Sequence, residues 1–134
     1  MTGESYRLLV VEDDPVARLV LSRMLTRLGH QVVAAPDVAS GLVQALALQP
    51  ALVFSDFELP DGTGDDLLAG IRAADLWMPF VLVTGVAELV RSRSTSTAGG
   101  PAGQPMVAAT LTKPVDSRAV SSCLRAVLEP RPVG

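Results

Sequence analysis

Acidic, hydroxyl-bearing and basic side chains follow four short apolar runs of this sequence. The acidic run Glu12–Asp14 follows the first apolar run, and Asp56, Thr84 and Lys113 each follow a later one. Carboxylates that lie close together resist joint ionisation unless a cation offsets their charge. Oxygen ligands of this kind suit Mg²⁺, which takes a few protein ligands and keeps several waters. A carboxylate can act as a nucleophile toward a phosphoryl group, so the four features together predict phosphoryl transfer beside a bound cation.

Each of these features has a simpler explanation when it is taken alone. An aspartate after a strand most often caps a helix or occupies a turn, and the run Glu12–Asp14 could do the same. Thr84 could satisfy backbone groups only, and Lys113 could be a solvated surface lysine. The functional interpretation therefore requires that all of them meet at one edge of one sheet.

The apolar runs themselves predict that edge. Each is a short, near-continuous stretch of mainly Val, Leu and Ala, which is typical of a parallel strand covered on both faces. Helical patterns separate the runs, and this alternation predicts an α/β fold with a doubly wound, five-stranded parallel sheet. Open parallel sheets bind ligands at the carboxyl ends of their strands. The predicted strands are Leu8–Val11, Val32–Ala35, Leu52–Ser55, Phe80–Thr84 and Val107–Thr112.

About five helices are predicted between and after the strands. Pro15 at a first turn, and Asp37 and Thr63 as caps, mark where three of them begin. The stretch 94–105 is rich in Gly, Pro, Ser and Thr and predicts a flexible loop, and the tail 129–134 is expected to fray. The predicted helices run from Pro15 to about Leu28, from Asp37 to about Gln49, from Thr63 to about Ala74, over a short Val86–Arg93 and over Val115–Leu128.

Length and composition limit the classes of protein to which this chain can belong. Its 134 residues fit one domain, 1–134, with a core over about 6–128, and 49% hydrophobic residues are enough to bury that core. A net charge of −3 without a basic tract disfavours direct nucleic-acid binding. No apolar run approaches the ~20 residues that span a bilayer. Cys123 is the only cysteine, and the polar N-terminal residues lack the apolar stretch of a signal peptide. The expected location is therefore cytoplasmic.

Four motifs, in order along the chain, resemble the receiver domains of two-component response regulators. The motifs are Leu9–Pro15, Asp56–Gly64, Val83–Gly85 and Thr112–Pro114, and the resemblance covers about residues 6–128. Membership of this CheY-like superfamily implies a flavodoxin-like sheet with the strand order 2-1-3-4-5. It also implies a signalling switch that accepts a phosphoryl group from a phosphohistidine donor and then changes its binding to partners.

The same resemblance implies a phosphoacceptor and a set of metal ligands. Asp56 would be the phosphoacceptor. A bound Mg²⁺ or Mn²⁺ ion would have as its ligands Asp56, Asp13 directly, Glu12 through water, and the backbone carbonyl of Glu58.

The remaining site residues and the partners are also implied by the resemblance. Thr84 would hydrogen-bond a phosphoryl oxygen, Lys113 would pair with the phosphoryl group, and the Lys113–Pro114 peptide would be cis, which proline permits at low cost. The donor would be a histidine kinase or a histidine phosphotransfer protein, with no membrane partner and with a monomer or weak dimer as the oligomeric state. Such a chain is no enzyme, since it catalyses only its own phosphorylation and dephosphorylation.

The sequence departs from the family at several positions near the output surface. Thr110 stands where an aromatic residue is common, Gly85 replaces the usual alanine, and the stretch between Thr84 and Lys113 is long and rich in Gly and Pro. These departures motivate a second hypothesis, in which the chain is a receiver-like protein-binding module whose output is independent of phosphorylation.

A phosphohydrolase is a third hypothesis. The run Leu59–Thr63 resembles the signature of aspartate-nucleophile phosphatases, but its first aspartate is replaced by Leu59.

His30 and Cys123 are each the only residue of their type, which is too few for a zinc cluster. We expect His30 in a surface turn and Cys123 in the core. The apolar stripe of the first helix is broad, since it includes Val16 and Leu19, and is expected to be mostly core. The resemblance implies that the exposed side of this helix docks the phosphodonor, so part of the excess could be an interface. Whether the chain is complete or part of a longer protein is left open, although Met1 favours a whole protein.

Overall fold

Five parallel strands form the central sheet of the computed structural model, which describes residues 5–85 and 107–128. The described strands are β1 Arg7–Val11, β2 Gln31–Ala35, β3 Leu52–Asp56, β4 Glu58–Leu59, β5 Gly62–Thr63, β6 Phe80–Thr84 and β7 Ala109–Thr112. The sheet has the order β2-β1-β3-β6-β7, which confirms the predicted 2-1-3-4-5 order of the main strands. A small antiparallel hairpin of β4 and β5 follows β3 and was not predicted.

Four helices occur in the part of the chain that the structure describes, and side-chain caps fix the starts of the first three. Asp14 accepts a hydrogen bond from the backbone N–H of Ala17, and Asp37 accepts one from Ser40. Thr63 and Asp66 form a reciprocal capping box at the third helix. The helices are α1 Pro15–Arg27, α2 Val38–Leu48, α3 Gly64–Ala73 and α4 Ser117–Leu128.

Two predicted boundaries were wrong by two residues. β7 begins at Ala109, not at Val107, and α4 begins at Ser117, not at Val115. Asp116 explains the second shift, because its side chain accepts a hydrogen bond from Ala119 N at 2.8 Å and so marks the helix start. The short helix predicted at 86–93, the loop at 94–105 and the tail at 129–134 lie outside the described residues.

The core consists of two hydrophobic clusters, one on each face of the sheet. Along β1, Leu8 and Val10 face one cluster while Leu9 and Val11 face the other, as the two-residue period of a strand requires. Helices α2 and α3 cover one face, and α1 and α4 cover the other. This double cover explains why the strands are apolar without alternation. None of the described helices is long and apolar enough to cross a membrane.

Candidate functional site

Three carboxylates meet at the carboxyl edge of the sheet. Glu12 and Asp13 follow β1, and Asp56 ends the adjacent strand β3. Each offers an oxygen within 4.8 Å of the other two. Glu12 and Asp56 are buried, with 5% and 8% of their surface exposed, whereas Asp13 is exposed. The parallel register therefore produces the acidic cluster that the order of strand ends predicted.

Lys113 contacts two of these carboxylates from the end of β7. Its ammonium nitrogen lies 3.0 Å from Asp56 Oδ2 and 3.3 Å from Glu12 Oε1. Burial lowers the pKa of the Lys113 ammonium, but the hydrogen bond and charge of Asp56, followed by Glu12, outweigh burial and raise that pKa. The ammonium is therefore charged at neutral pH. The backbone of Lys113 is fixed by a hydrogen bond from its N–H group to Thr84 O at 2.8 Å, and a cis peptide bond joins Lys113 to Pro114.

The environment of Glu12 disfavours its ionised form. Its pKa is raised, first because burial removes water from the carboxylate and also because of the negative charge of Asp56. The hydrogen bond from Asp14 N, at 3.1 Å, and the charge of Lys113 act in the opposite direction without cancelling the shift.

The chemistry of this cluster fits a divalent cation. Three carboxylates and one ammonium leave a formal charge of −2 when all are ionised, and both ion pairs of the cluster within the described ranges are made by Lys113. Hard oxygen ligands, two buried and one exposed to water, match the preference of Mg²⁺ for a few carboxylates plus retained waters.

Thr84 ends β6, one residue beyond Val83, which pairs with Asp56 in the register of the sheet. The side chain of Thr84 is fully buried, and its hydroxyl has no hydrogen-bond partner among residues 5–85 and 107–128. By contrast, the buried hydroxyl of Ser55 donates to Asp56 O at 2.9 Å. Buried polar groups are nearly always satisfied, so the Thr84 hydroxyl is available to a group that residues 5–85 and 107–128 do not supply.

Glycine at position 64 allows α3 to begin directly against the acceptor strand. A Cβ atom at Gly64 would lie 2.7 Å from the backbone oxygen of Asp56 and 2.9 Å from a methyl group of Leu82. The backbone N–H of Gly64 also donates to Phe57 O at 2.7 Å. The backbone that carries Asp56 is therefore enclosed on this side by the first turn of α3.

The hairpin after Asp56 carries Glu58 and contains a residue that the sequence analysis did not single out. Glu58 pairs with Thr63, and Leu59 pairs with Gly62. In the turn between them, the Asp61 carboxylate accepts two backbone hydrogen bonds from the start of α2. The loop residues are Pro60 and Asp61, and the run Pro60-Asp61-Gly62 is a recognised turn signal, which could have predicted the turn but not its contact with α2.

An apolar groove opens beside the acidic cluster. A cavity of about 490 Å³ lies between α1 and the segment Lys113–Val115, and its apolar lining includes Val20, Met24 and Val115. Val16, which also lines it, and the nearby Leu19 are 68% and 51% exposed. The excess apolar surface predicted for the first helix is therefore present next to the site.

The remaining candidates from the sequence lie outside the acidic cluster. His30 is half-buried: its Nδ1 accepts a hydrogen bond from Tyr6 N at 3.1 Å, so it is held at the start of β1 and is not a fully exposed turn residue. Cys123 is buried in the core, and burial raises the pKa of its thiol to about 11. Within the described residues, no second group of three His, Cys, Asp or Glu side chains could hold a metal ion.

A family model and curated relatives match most of the chain. The response regulator receiver domain model matches residues 8–125. The photosynthetic apparatus regulatory protein RegA of Rhodovulum sulfidophilum is 32% identical over 91% of this chain and 63% of its own length. The transcriptional regulatory protein GlrR of Escherichia coli is 30% identical over 96% of this chain and 28% of its own length. The chain thus spans less than two thirds of either relative.

Solved structures share the fold of this chain. A response regulator receiver domain protein from Clostridium thermocellum aligns with a TM-score of 0.79 at 21% identity, covering 91% of this chain and 93% of that one. The receiver domain of a sensor histidine kinase from Pseudomonas aeruginosa, described with a magnesium ion coordinated in its active site cleft, aligns with a TM-score of 0.78 at 23% identity, covering 93% of this chain and 98% of that one.

Proposed function

This chain belongs to the response regulator receiver domain family, and from that premise we propose that it is the phosphoacceptor switch of a two-component phosphorelay, with Asp56 as the acceptor. The observation that carries the proposal is the environment of Asp56, a buried carboxylate 3.0 Å from the Lys113 ammonium with two further carboxylates beside it. A structural aspartate needs neither the nearby carboxylates nor the paired lysine, whereas phosphoryl transfer needs both a cation site and a positive charge.

The proposed reaction forms one bond and breaks one bond. A carboxylate oxygen of Asp56 attacks the phosphorus of a phosphohistidine, and a P–O bond forms as the P–N bond breaks. The electron pair of that bond stays on the imidazole nitrogen, which takes up a proton from water. Hydrolysis then resets the switch: water attacks the phosphorus, inorganic phosphate is released and the Asp56 carboxylate is regenerated. The chain turns over no external substrate in this scheme.

Residues already at the edge of the sheet would perform the remaining tasks. Glu12, Asp13, Asp56 and the carbonyl oxygen of Glu58 would hold Mg²⁺ or Mn²⁺, which supplies charge neutralisation when bound. Lys113 would move its ion pair from the Asp56 carboxylate to the phosphoryl group. The Thr84 hydroxyl, buried and without a partner in the described residues, would donate to a phosphoryl oxygen. The magnesium ion described in the related Pseudomonas aeruginosa receiver supports this assignment.

The apolar groove beside α1 supports a protein as the phosphodonor. A histidine kinase or histidine phosphotransfer protein must bring its imidazole to Asp56, and the exposed Val16, Leu19 and Val20 lie next to that approach. The proposed location is the cytoplasm. The downstream partner is left unassigned, because this chain spans less than two thirds of its regulatory relatives.

Intact-mass measurement after incubation with Mg²⁺ and acetyl phosphate, or with a phosphorylated histidine phosphotransfer protein, tests the proposal. Wild-type protein should gain one phosphoryl group, and Asp56→Asn should gain none. Asp75→Asn is the matched control, because Asp75 is exposed and lies before β6, at the opposite edge of the sheet. Absence of an adduct from both donors would favour the phosphorylation-independent module that Thr110 motivates. Multiple turnover of diverse phosphoesters would favour a phosphohydrolase.

A further inference from the structure

Asp61 connects the hairpin of the candidate site to a helix that is distant in sequence. Its Oδ1 atom accepts a hydrogen bond from Val38 N at 2.7 Å, and its Oδ2 atom accepts one from Ala39 N at 3.0 Å. These are N-terminal amides of α2, which have no partner within the helix. Both carboxylate oxygens are therefore used to join β4–β5 to α2.

The charge of Asp61 suits this contact. The two hydrogen bonds, first that from Val38 and then that from Ala39, lower the pKa of the Asp61 carboxyl, so the group is ionised at neutral pH. The start of a helix carries a partial positive charge, which favours an anionic acceptor. The junction therefore combines two charge-assisted hydrogen bonds with a favourable helix dipole.

Close packing supports the same junction. A Cβ atom at Gly62 would lie 3.3 Å from a methyl group of Val38 and 2.7 Å from a carboxylate oxygen of Asp66, which belongs to the α3 capping box. The turn is thus held between the first turns of α2 and α3. Leu59, in the same hairpin, is buried in the core.

The hairpin needs such anchors because it is too short to fix its own position. It has only two paired positions, Glu58 with Thr63 and Leu59 with Gly62. An isolated two-stranded hairpin is at best marginally stable in water, and this one is shorter than most. The position of the Glu58 carbonyl relative to Asp56 therefore depends on what the hairpin is attached to.

We propose that Asp61 is a positioning residue that holds the Glu58 carbonyl in place for a divalent cation by anchoring the hairpin to the N-terminus of α2. This inference rests on the proposed function, in which a cation binds beside Asp56. Groups that orient metal ligands without touching the metal commonly change metal affinity by about 10–100-fold when removed. One of several ligands is affected here, so the low end, about tenfold, is expected.

The junction also predicts a response in α2. If the tether orders the metal ligand, metal binding must stabilise the tether by the same coupling free energy. Mg²⁺ should therefore slow hydrogen exchange at the amides of Val38 and Ala39, whose N–H groups donate to Asp61. The amide of Ser40, which donates to Asp37 within α2, should change less.

A Mg²⁺ titration followed by amide NMR, comparing Asp61→Ala with Asp37→Ala, tests the proposal. Asp37 caps the same helix through Ser40 N at 2.8 Å but belongs to α2's own N-cap and not to the hairpin. Asp61→Ala should weaken Mg²⁺ binding about tenfold, while Asp37→Ala should stay within about twofold of wild type. Equal affinities in wild type and Asp61→Ala, or equal weakening in both variants, would overturn the positioning role.

Two further measurements keep the inference separate from folding and from the proposed function. Asp61→Asn keeps one carbonyl acceptor, so it should fold and show an intermediate affinity, and wild-type affinity in this variant would count against the proposal. At saturating Mg²⁺, Asp61→Ala should reach the wild-type extent of phosphorylation, because only cation binding is weakened. A wild-type protein that accepts no phosphoryl group would refute the proposed function, whereas a normal Mg²⁺ affinity in Asp61→Ala refutes only the tether.

Discussion

Replacing Asp56 by asparagine should stabilise the protein when no divalent cation is present. Asparagine has nearly the same shape and can still accept a hydrogen bond from Lys113, but it carries no charge. Lys113 keeps its ion pair with Glu12 at 3.3 Å. The substitution therefore removes one buried negative charge and leaves the lysine with a partner.

The magnitude follows from the distances within the cluster. At an effective dielectric constant of about 20, two carboxylate oxygens no more than 4.8 Å apart repel each other by at least about 3.5 kcal/mol, and the Lys113–Asp56 pair at 3.0 Å attracts by about 5.5 kcal/mol. Water screens the exposed Asp13, so the repulsions and the attraction nearly cancel. The dehydration cost of a buried carboxylate then decides the sign, and we expect a gain of about 1–2 kcal/mol in the free energy of unfolding.

Urea unfolding in EDTA and in Mg²⁺ measures this effect. In EDTA, Asp56→Asn should be more stable than wild type, whereas Asp75→Asn, whose asparagine keeps the acceptor for Trp77 and tolerates the positive φ of 66°, should match wild type. At a Mg²⁺ concentration of about 100 times the dissociation constant, wild type should gain about 2.7 kcal/mol and the order should reverse. If Asp56→Asn were no more stable than wild type in EDTA, the argument from buried negative charge would be refuted.

Three other substitutions test separate features of the site. Thr84→Val removes a buried hydroxyl without a partner among the described residues, so the metal-free protein should gain about 1 kcal/mol in urea unfolding while its phosphorylation slows; a loss of stability would show that the hydroxyl is satisfied. Gly64→Ala places a methyl group 2.7 Å from the Asp56 backbone oxygen, so it should cost about 1–3 kcal/mol and reduce phosphorylation, and a wild-type urea midpoint would contradict the close approach. Asp61 has a lowered pKa in the folded protein, so its stabilising effect is complete above the unfolded pKa of about 3.9 and is lost as the pH falls through the folded value. Asp61→Asn should therefore flatten the decline of stability below about pH 4, and an unchanged acid limb would exclude this contribution.

The sheet could be predicted from the sequence because its physical causes are local. Strands such as Arg7–Val11 are apolar at every buried position, since helices cover both faces, and caps such as Asp37 and Thr63 mark helix starts. The two-residue strands β4 and β5 could not be predicted, because so short a segment carries no periodic pattern.

The sequence predicted which residues of the candidate site lie at the same edge of the sheet. It did not predict which of their side chains contact each other. The order of strand ends places Glu12, Asp56 and Lys113 at one edge in any parallel sheet of this topology. That Lys113 contacts two carboxylates, and that the Thr84 hydroxyl lacks a partner among the described residues, depends on side-chain positions that no spacing encodes. The contact of Asp61 with Val38 links residues 23 positions apart, and each has a plausible local role as a turn or helix residue.

The state of Thr84 bears on whether the switch can work without an aromatic residue at position 110. An unsatisfied buried hydroxyl costs about 1–3 kcal/mol, and a phosphoryl oxygen on Asp56 would relieve that cost. A difference of this size shifts a two-state equilibrium by about 5- to 150-fold. Thr110 is half-buried on β7 and pairs in register with Leu82. If Asp56 is phosphorylated as proposed, the hydroxyl of Thr84 would therefore supply free energy for a change at β6 whichever residue stands at position 110.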